Sequence, residues 1–327
     1  MASNKRPKTS LNPIAASATS TCYQTPSSLS AEMVANNDDL LTEILVRLPI
    51  NYVLAFKSLS KHWLSLISNP HFCRRSTALY NPSCGLFLLR PSISTNPNPV
   101  FDYLSLNQSS NLSNKHLMIS LSFLTDPMGI KILQSCNGLL LCSTSGGPEA
   151  RKKYYVYNPT TKHYTILPQL PVSGYAYRST VMGLSLAFDP SKSLPYKVVC
   201  VKSRNSEQTQ LEFEIYSSEM GAWRLSTSKS FLSPISTYNI DFNGGVFWNG
   251  AIHWISTREA AGALYFNLEE ERFSEMPLPP LPEDWKDWNE SQFGYFGESG
   301  DHLHVIGMYN PPSKCFNVYE MKRDYSG

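Results

Sequence analysis

The seven cysteines (Cys22, Cys73, Cys84, Cys136, Cys142, Cys200 and Cys315) include no CxxC pair, and their number is odd. A disulfide framework or a zinc ribbon is therefore not what organises this chain. Several cysteines sit in apolar runs, as Cys142 does after Leu139-Leu140-Leu141, and read as buried, reduced thiols. A reducing compartment follows, cytoplasmic, nuclear or both. No run of residues approaches the roughly 18 consecutive apolar positions of a membrane-spanning helix, so no membrane partner is expected. An excess of charge of one sign is also lacking. Twenty-eight basic residues stand against 26 acidic ones, a net charge of +2, whereas a dedicated nucleic-acid binder carries a strongly basic face. Catalytic signatures are missing too. There is no P-loop, GxSxG elbow, HExxH or EF-hand loop. Asp301-His302-Leu303-His304 comes nearest to a metal-ligand set, and its spacing is a weak match. His253 and His304 fall in apolar strand-like runs and read as core histidines. Glu269 to Glu271 reads as a solvated turn. No catalytic residue, cofactor or metal is expected.

The first 31 residues hold no Asp or Glu and are rich in Ser, Thr, Ala and Asn, with Lys5, Arg6 and Lys8 among them. Organellar transit peptides and disordered tails share that composition, and residues 1–36 are assigned to a tail. A helical module follows over 37–80, and strands joined by turns run over 84–327. Hydrophobic residues make up 42 % of the chain and aromatics 12 %, enough for a substantial core, while 23 prolines favour short strands.

In the helical module, Asn37 or Asp38 can cap a helix whose first turns hold Asp39 and Glu43, favourable near the positive end of the helix dipole. Leu40, Leu41, Ile44, Leu45 and Leu48 recur at three- and four-residue spacing, and Pro49 ends the helix. A second helix holds Val53, Leu54 and Phe56. Ser60 can cap a third, which carries Trp63, Leu66 and Ile67. Asn69-Pro70 starts a fourth. So few residues of helix cannot bury all these groups alone. Their cover is either the rest of the chain or a partner's groove.

The runs Asp39-Leu-Leu-Thr-Glu-Ile-Leu-Val-Arg-Leu-Pro49, Phe56-Lys-Ser-Leu-Ser-Lys-His-Trp63 and Ser65-Leu-Ile-Ser68 resemble an F-box motif of the plant type. That resemblance implies docking on a Skp-type adaptor and, through it, on a cullin scaffold. It would place Leu40, Leu41, Ile44, Leu45, Leu48, Pro49, Val53 and Trp63 in the contact surface, with Lys57 at its edge. One departure is visible: the family opens with Leu-Pro, and Asn36-Asn37 stand here instead.

The strand region contains a repeat. Tyr157, Tyr216 and Phe266 each have an aromatic seven residues later (Tyr164, Trp223 and Phe273) across a turn, and Phe316-Asn-Val-Tyr319 starts the same way. The anchors lie 59, 50 and 53 residues apart, the period of a propeller blade of three or four strands. After Tyr319 the seventh position is Ser326, so the last blade is expected to be open, with an exposed edge, unless a strand within Gly85–Leu89 closes it. The region also resembles the F-box-associated domain of plant F-box proteins, which is kelch-like. The matching pieces include Ser135-Cys-Asn-Gly-Leu-Leu140, Val156-Tyr-Asn-Pro-Thr-Thr-Lys162 and Asn249-Gly-Ala-Ile-His-Trp254.

The fold class expected is therefore mixed: a small all-α F-box module followed by an all-β, propeller-like repeat domain. The function expected is that of an adaptor that recognises a ubiquitin-ligase target and does no chemistry. Tyr175, Tyr177, Arg178, Trp285 and Trp288, in two turn-rich segments, are candidate contacts for an unknown target protein. Two readings stand beside this one: an interaction scaffold whose F-box is inactive, and a propeller that binds carbohydrate.

Overall fold

The computed structural model describes residues 31, 33–79, 85–89, 100–105, 117–120, 129–146, 152–170, 180–227, 231–233, 237, 240–243, 245–256, 262–279, 291–309 and 316–326. Contacts divide the chain into two units, 1–72 and 73–327.

The first unit is helical: α1 (Asp38–Leu45), α2 (Ile50–Phe56), α3 (Lys61–Ser68) and α4 (Pro70–Leu79), the last running across the boundary. The expected caps form. Asn37 Oδ1 accepts from the N–H groups of Asp39 and Leu40 at 3.1 and 3.0 Å, and Ser60 Oγ accepts from Trp63 at 3.1 Å. The core is Leu41, Leu45, Val46, Val53, Ile67 and Phe72, flanked by Leu48, Phe56, Trp63 and Leu66. Phe56 and Trp63 meet edge to face at 5.3 Å.

The second unit is all β. A three-stranded sheet of β1 (Gly85–Leu89), β2 (Val100–Ser105) and β3 (Leu117–Ser120) comes first. Four blade-like sheets follow, all antiparallel. The first is β4 (Ile130–Cys136), β5 (Leu139–Thr144), β6 (Tyr154–Asn158) and β7 (His163–Ile166). The second is β8 (Thr180–Ala187), β9 (Lys197–Ser203), β10 (Gln210–Ser217) and β11 (Ala222–Leu225), with the short β12 (Phe231–Leu232) paired to β10. The third is β13 (Val246–Trp248), β14 (Ala251–Ile255), β15 (Ala263–Asn267) and β16 (Arg272–Glu275), and the fourth is β17 (Ser291–Ser299), β18 (His302–Tyr309) and β19 (Phe316–Met321). The strand at Gly85–Leu89 pairs with β2 and not with β19, so among the described residues the last sheet keeps an open edge.

Turn chemistry sets this layout. Asn137-Gly138, Asn249-Gly250 and Gly300-Asp301 join paired strands through two residues that all have φ between 45° and 86°, the conformation of a type I′ hairpin turn. The third and fourth strands of three sheets are joined by four residues, the last of them in the left-handed region: Lys162, Gly221 and Glu271. Asn158 and Asn267 open two of these loops by accepting two backbone N–H groups each. Equal loops explain the aromatic spacing of seven. Tyr157 faces Tyr164, Tyr216 faces Trp223 and Phe266 faces Phe273 as cross-strand partners.

The core lies between the sheets. One cluster joins the second sheet to the third around Phe213, Phe242, Trp254 and Phe266, with Phe213 and Phe266 stacked at 4.3 Å. Another joins the first to the second around Leu141, Leu184, Leu186, Val198 and Tyr216. Of the described cysteines, Cys136, Cys142 and Cys200 are buried as expected, Cys73 is half-buried, none is in a disulfide, and burial pushes the Cys136 and Cys142 thiols up to about 12.

The segment 241–243 packs directly on β8. Ser185 Oγ donates to Phe242 O at 2.8 Å, and Asn243 Oδ1 accepts from Leu184 N–H at 3.2 Å. Gly183 is what permits the approach, because a Cβ there would stand 2.5 Å from the carbonyl carbon of Phe242. Gly183→Ala should therefore lower stability by about 1–3 kcal/mol through overpacking. Denaturant unfolding checks this, and an unchanged midpoint would show that the segment yields freely.

Candidate functional site: an outward apolar helix face and a latched propeller

Helix α1 is apolar on two sides. Leu41 and Leu45 point into the helical core, 3 % and 1 % exposed, whereas Leu40 and Ile44, one turn apart, are 49 % and 48 % exposed. Ile50, Tyr52, Leu59 and Leu64 are also exposed, so several large apolar side chains of this unit lie in water. The residues expected at the adaptor surface thus fall into three groups. Leu40, Ile44 and Pro49 face outward; Leu48, Lys57 and Trp63 are part-buried; Leu41, Leu45 and Val53 are buried under their own neighbours. Periodicity could not make this division, because both sides of α1 carry leucine-like residues. Asp38 reaches His62 at 3.0 Å and ties the start of α1 to α3.

In the second unit the tight turns and four-residue loops all lie at one end of the sheets. Asn137 Nδ2 donates across that end to Phe188 O at 2.7 Å, and Trp248 Nε1 to Asp301 O at 2.9 Å. β7 and β16 finish, and β8 and β17 begin, at the opposite end. Tyr175, Tyr177 and Arg178 fall between β7 and β8, and Trp285 and Trp288 between β16 and β17. All five lie outside the described residues.

Polar latches hold neighbouring sheets in register. Gln134 on β4 uses both ends of its amide on Leu186 of β8, donating to its O at 3.1 Å and accepting from its N–H at 2.6 Å. Glu271 departs from the expectation of a solvated turn. Glu269 and Glu270 are exposed, but Glu271 is buried against the preceding sheet, where it takes Arg224, the Ser226 hydroxyl at 2.9 Å and the Thr227 N–H at 2.6 Å. Burial pushes its carboxyl up, but these donors outweigh it and bring the pKa down to about 2. His253 is wholly buried, as its apolar run suggested. Its Nε2 lies 2.9 Å from the Tyr325 hydroxyl, and burial lowers it to about 4, so the ring is neutral. His304 is only part-buried and shares the carboxylate of Glu320 with His302.

Sequence reasoning overlooked one pair altogether. Lys202 and Glu214 form an ion pair at 2.8 Å with both side chains 4 % exposed, and Glu214 Oε2 is buried without a hydrogen bond. Burial raises the Glu214 carboxyl, with Lys202 pulling against it. The signal lay in the alternation of Lys202-Ser-Arg204 and Glu212-Phe-Glu214 on strands now seen to be paired. Among the described residues no group of three or more His, Cys, Asp or Glu side chains is arranged to hold a metal.

A cluster of capped helices with an outward apolar face, ahead of a repeated set of latched β blades, defines a two-part recognition protein. Comparison with known families makes this specific. Residues 37–75 match the F-box domain and residues 93–308 the F-box associated beta propeller domain. An F-box protein of Arabidopsis thaliana is 37 % identical over 314 residues, covering 92 % of this chain and 70 % of that protein. A second from the same plant is 31 % identical over 295 residues, 88 % of this chain and 76 % of that one. A putative F-box/kelch-repeat protein, also of Arabidopsis thaliana, is 26 % identical and covers 74 % of this chain and 60 % of its own length. The chain belongs to the F-box proteins that carry a C-terminal F-box-associated β-propeller domain, a family of SCF-type substrate adaptors.

The Glu271 latch gives a pH signature. A carboxyl held near 2 in the fold and near 4.5 when unfolded stabilises fully above about pH 4.5, and that stability is lost as pH falls towards about 2. Glu271→Gln should unfold more easily than the parent at pH 7, and the gap should close at acid pH. Parallel urea curves at neutral pH and near the acid end check this, and a gap independent of pH would mean that the carboxylate charge is not what latches the sheets.

Proposed function

We propose that this protein is the target-recognition subunit of an SCF-type ubiquitin ligase. The outward face of α1 and its surroundings docks on a Skp-type adaptor, which connects to a cullin scaffold. The propeller holds a target protein, and other subunits transfer the ubiquitin that marks it for degradation. The chain itself supplies binding and positioning and no catalytic group. It works in the cytoplasm, the nucleus or both, where its buried thiols stay reduced.

One observation carries the reading. Leu40 and Ile44 are held outward on a helix whose opposite side is already anchored by Leu41 and Leu45, so they are free to enter a partner's groove without loosening the module. The scaffold reading with an inactive F-box was motivated by Asn36-Asn37 in place of Leu-Pro. Asn37 caps α1 with two hydrogen bonds, which keeps the start of the docking helix in place and favours the adaptor reading.

The test is co-purification of the full chain with a Skp-type adaptor. Ile44→Lys should weaken the complex by at least about 3 kcal/mol, roughly 100-fold, while its melting temperature stays close to that of the parent. Glu219→Lys, in an exposed propeller loop, should leave the complex unchanged. Leu45→Lys is a poor probe, since it places a charge in the helical core and unfolds the module whatever its partner. Full adaptor binding by a folded Ile44→Lys chain would remove α1 from the interface.

A further inference from the structure

All three Asn-Gly pairs of the chain, at Asn137, Asn243 and Asn249, use the asparagine side chain to tie together segments 51, 59 and 74 residues apart. The ties differ in chemistry. Asn243 accepts the Leu184 N–H through Oδ1, and a carboxylate oxygen would accept it equally well. Asn137 and Asn249 donate through Nδ2, to Phe188 O at 2.7 Å and to Arg323 O at 3.0 Å. A reaction that replaces the amide nitrogen by oxygen abolishes these two ties and leaves an acceptor facing an acceptor. Of the two, Asn137 is exposed and Asn249 half-buried.

Asn137 and Gly138 are the two residues of the turn between β4 and β5, with Cys136 paired to Leu139 across it. Gly138 is exposed, nothing stands within 4 Å of where a Cβ would be, and among the described residues no backbone acceptor takes its N–H. Its nitrogen is therefore unhindered beside the Asn137 side chain. Phe188 O, the acceptor of the tie, also receives Cys136 Sγ at 3.5 Å. Burial raises that thiol most, Phe188 O pulls it down, and the carboxylates of Glu298 and Asp189 push it further up, so both lie close by. A carboxylate formed at position 137 would arrive beside two others.

We infer that Asn137 is a site of spontaneous deamidation, gated by the junction between the first two blades, and that the reaction keeps this junction open once it has opened. The Gly138 nitrogen attacks Asn137 Cγ. The N–Cγ bond forms, the Cγ–Nδ2 bond breaks, and the displaced nitrogen leaves as ammonia with the Gly138 proton. Water then opens the cyclic imide at either carbonyl and leaves aspartate or isoaspartate at this position. Water is taken up, ammonia is released, and nothing is oxidised or reduced. Aspartate faces the Phe188 carbonyl with an oxygen where a donor stood. Isoaspartate also lengthens the main chain of a two-residue turn, whose length sets the register of β4 on β5. The inference does not depend on the adaptor reading.

The gate follows from the tie itself. While Nδ2 is bound to Phe188 O, the side chain is held away from its own backbone, and ring closure waits for that bond to break. Two further ties close the same junction. Gln134 bonds Leu186 at both ends of its amide, at 3.1 and 2.6 Å, and Trp223 donates its indole N–H to Pro168 O at 2.8 Å. Local opening of the junction releases them together. Each thus protects Asn137 without touching it, and the rate of conversion reads how often the first two blades part.

The test incubates the full chain at mildly alkaline pH and follows the three Asn-Gly peptides by mass spectrometry, with enzymatic isoaspartyl methylation as a second readout. Asn137 should convert ahead of Asn243 and Asn249. Trp223→Phe, which removes little beyond the indole N–H, should speed conversion at Asn137 by about fivefold, the effect of one net hydrogen bond on an opening equilibrium. Gln134→Ala should speed it at least as much. Glu271→Gln, at the next junction, should leave the rate at Asn137 unchanged. Asn137→Asp, made directly, should unfold at lower urea than the parent, and the loss should shrink when both chains carry Asp189→Asn. Conversion first at Asn243 or Asn249 overturns the inference. So does a rate at Asn137 indifferent to both Trp223→Phe and Gln134→Ala, or a parental urea midpoint for Asn137→Asp. An equal acceleration by Glu271→Gln shows global unfolding as the route and overturns the gate.

Discussion

The middle strands of the propeller are buried on both faces, and every other feature of the domain answers to that. β5 and β14 have no exposed residue along their length, and β9 and β10 have almost none. A sheet of this kind cannot stand alone in water, because each face needs another sheet against it. Hence the stacked aromatic cores at the junctions, and hence the polar latches at Gln134, Glu271 and Trp248, which satisfy groups that the packing removes from solvent. The helical unit meets the same demand differently. Four short helices bury one set of leucines among themselves and leave a second set in water, and that is the signature of a module built for a partner.

Much of this was legible in the amino-acid sequence. Tyr157, Tyr216 and Phe266 with their partners seven residues on revealed the blades, because identical hairpin loops impose identical spacing. Asn37 and Ser60 were readable as caps because only a short polar side chain can reach back to those N–H groups. The pairs Asn137-Gly138 and Asn249-Gly250 marked only a family resemblance in the sequence, and the structure shows them to be tight turns, since few other residues accept positive φ twice in succession.

What stayed hidden depended on contacts between distant segments. Nothing in Glu269-Glu270-Glu271 distinguishes the third carboxylate from the first two until Arg224 and Thr227 arrive from another sheet. The Lys202–Glu214 pair was invisible for the same reason. Leucines on two sides of α1 could not be sorted into core and surface by periodicity alone, and only packing separates Leu45 from Ile44. The aromatics Tyr175, Tyr177, Trp285 and Trp288, expected from composition alone to meet a target, fall in segments outside the described residues.

The hydrogen bonds that join one blade to the next span sequence separations between 44 and 74 residues, from under one blade's length to about one and a half. Within a blade, the strand ladders run between neighbours in the chain, apart from the short β12 that pairs back with β10. Such a molecule has no need to wait for its last residue before its first blades can close, since each junction is complete as soon as one further repeat has left the ribosome. The order of synthesis can thus serve as the order of assembly, and the newest blade is always the one with an unfilled side.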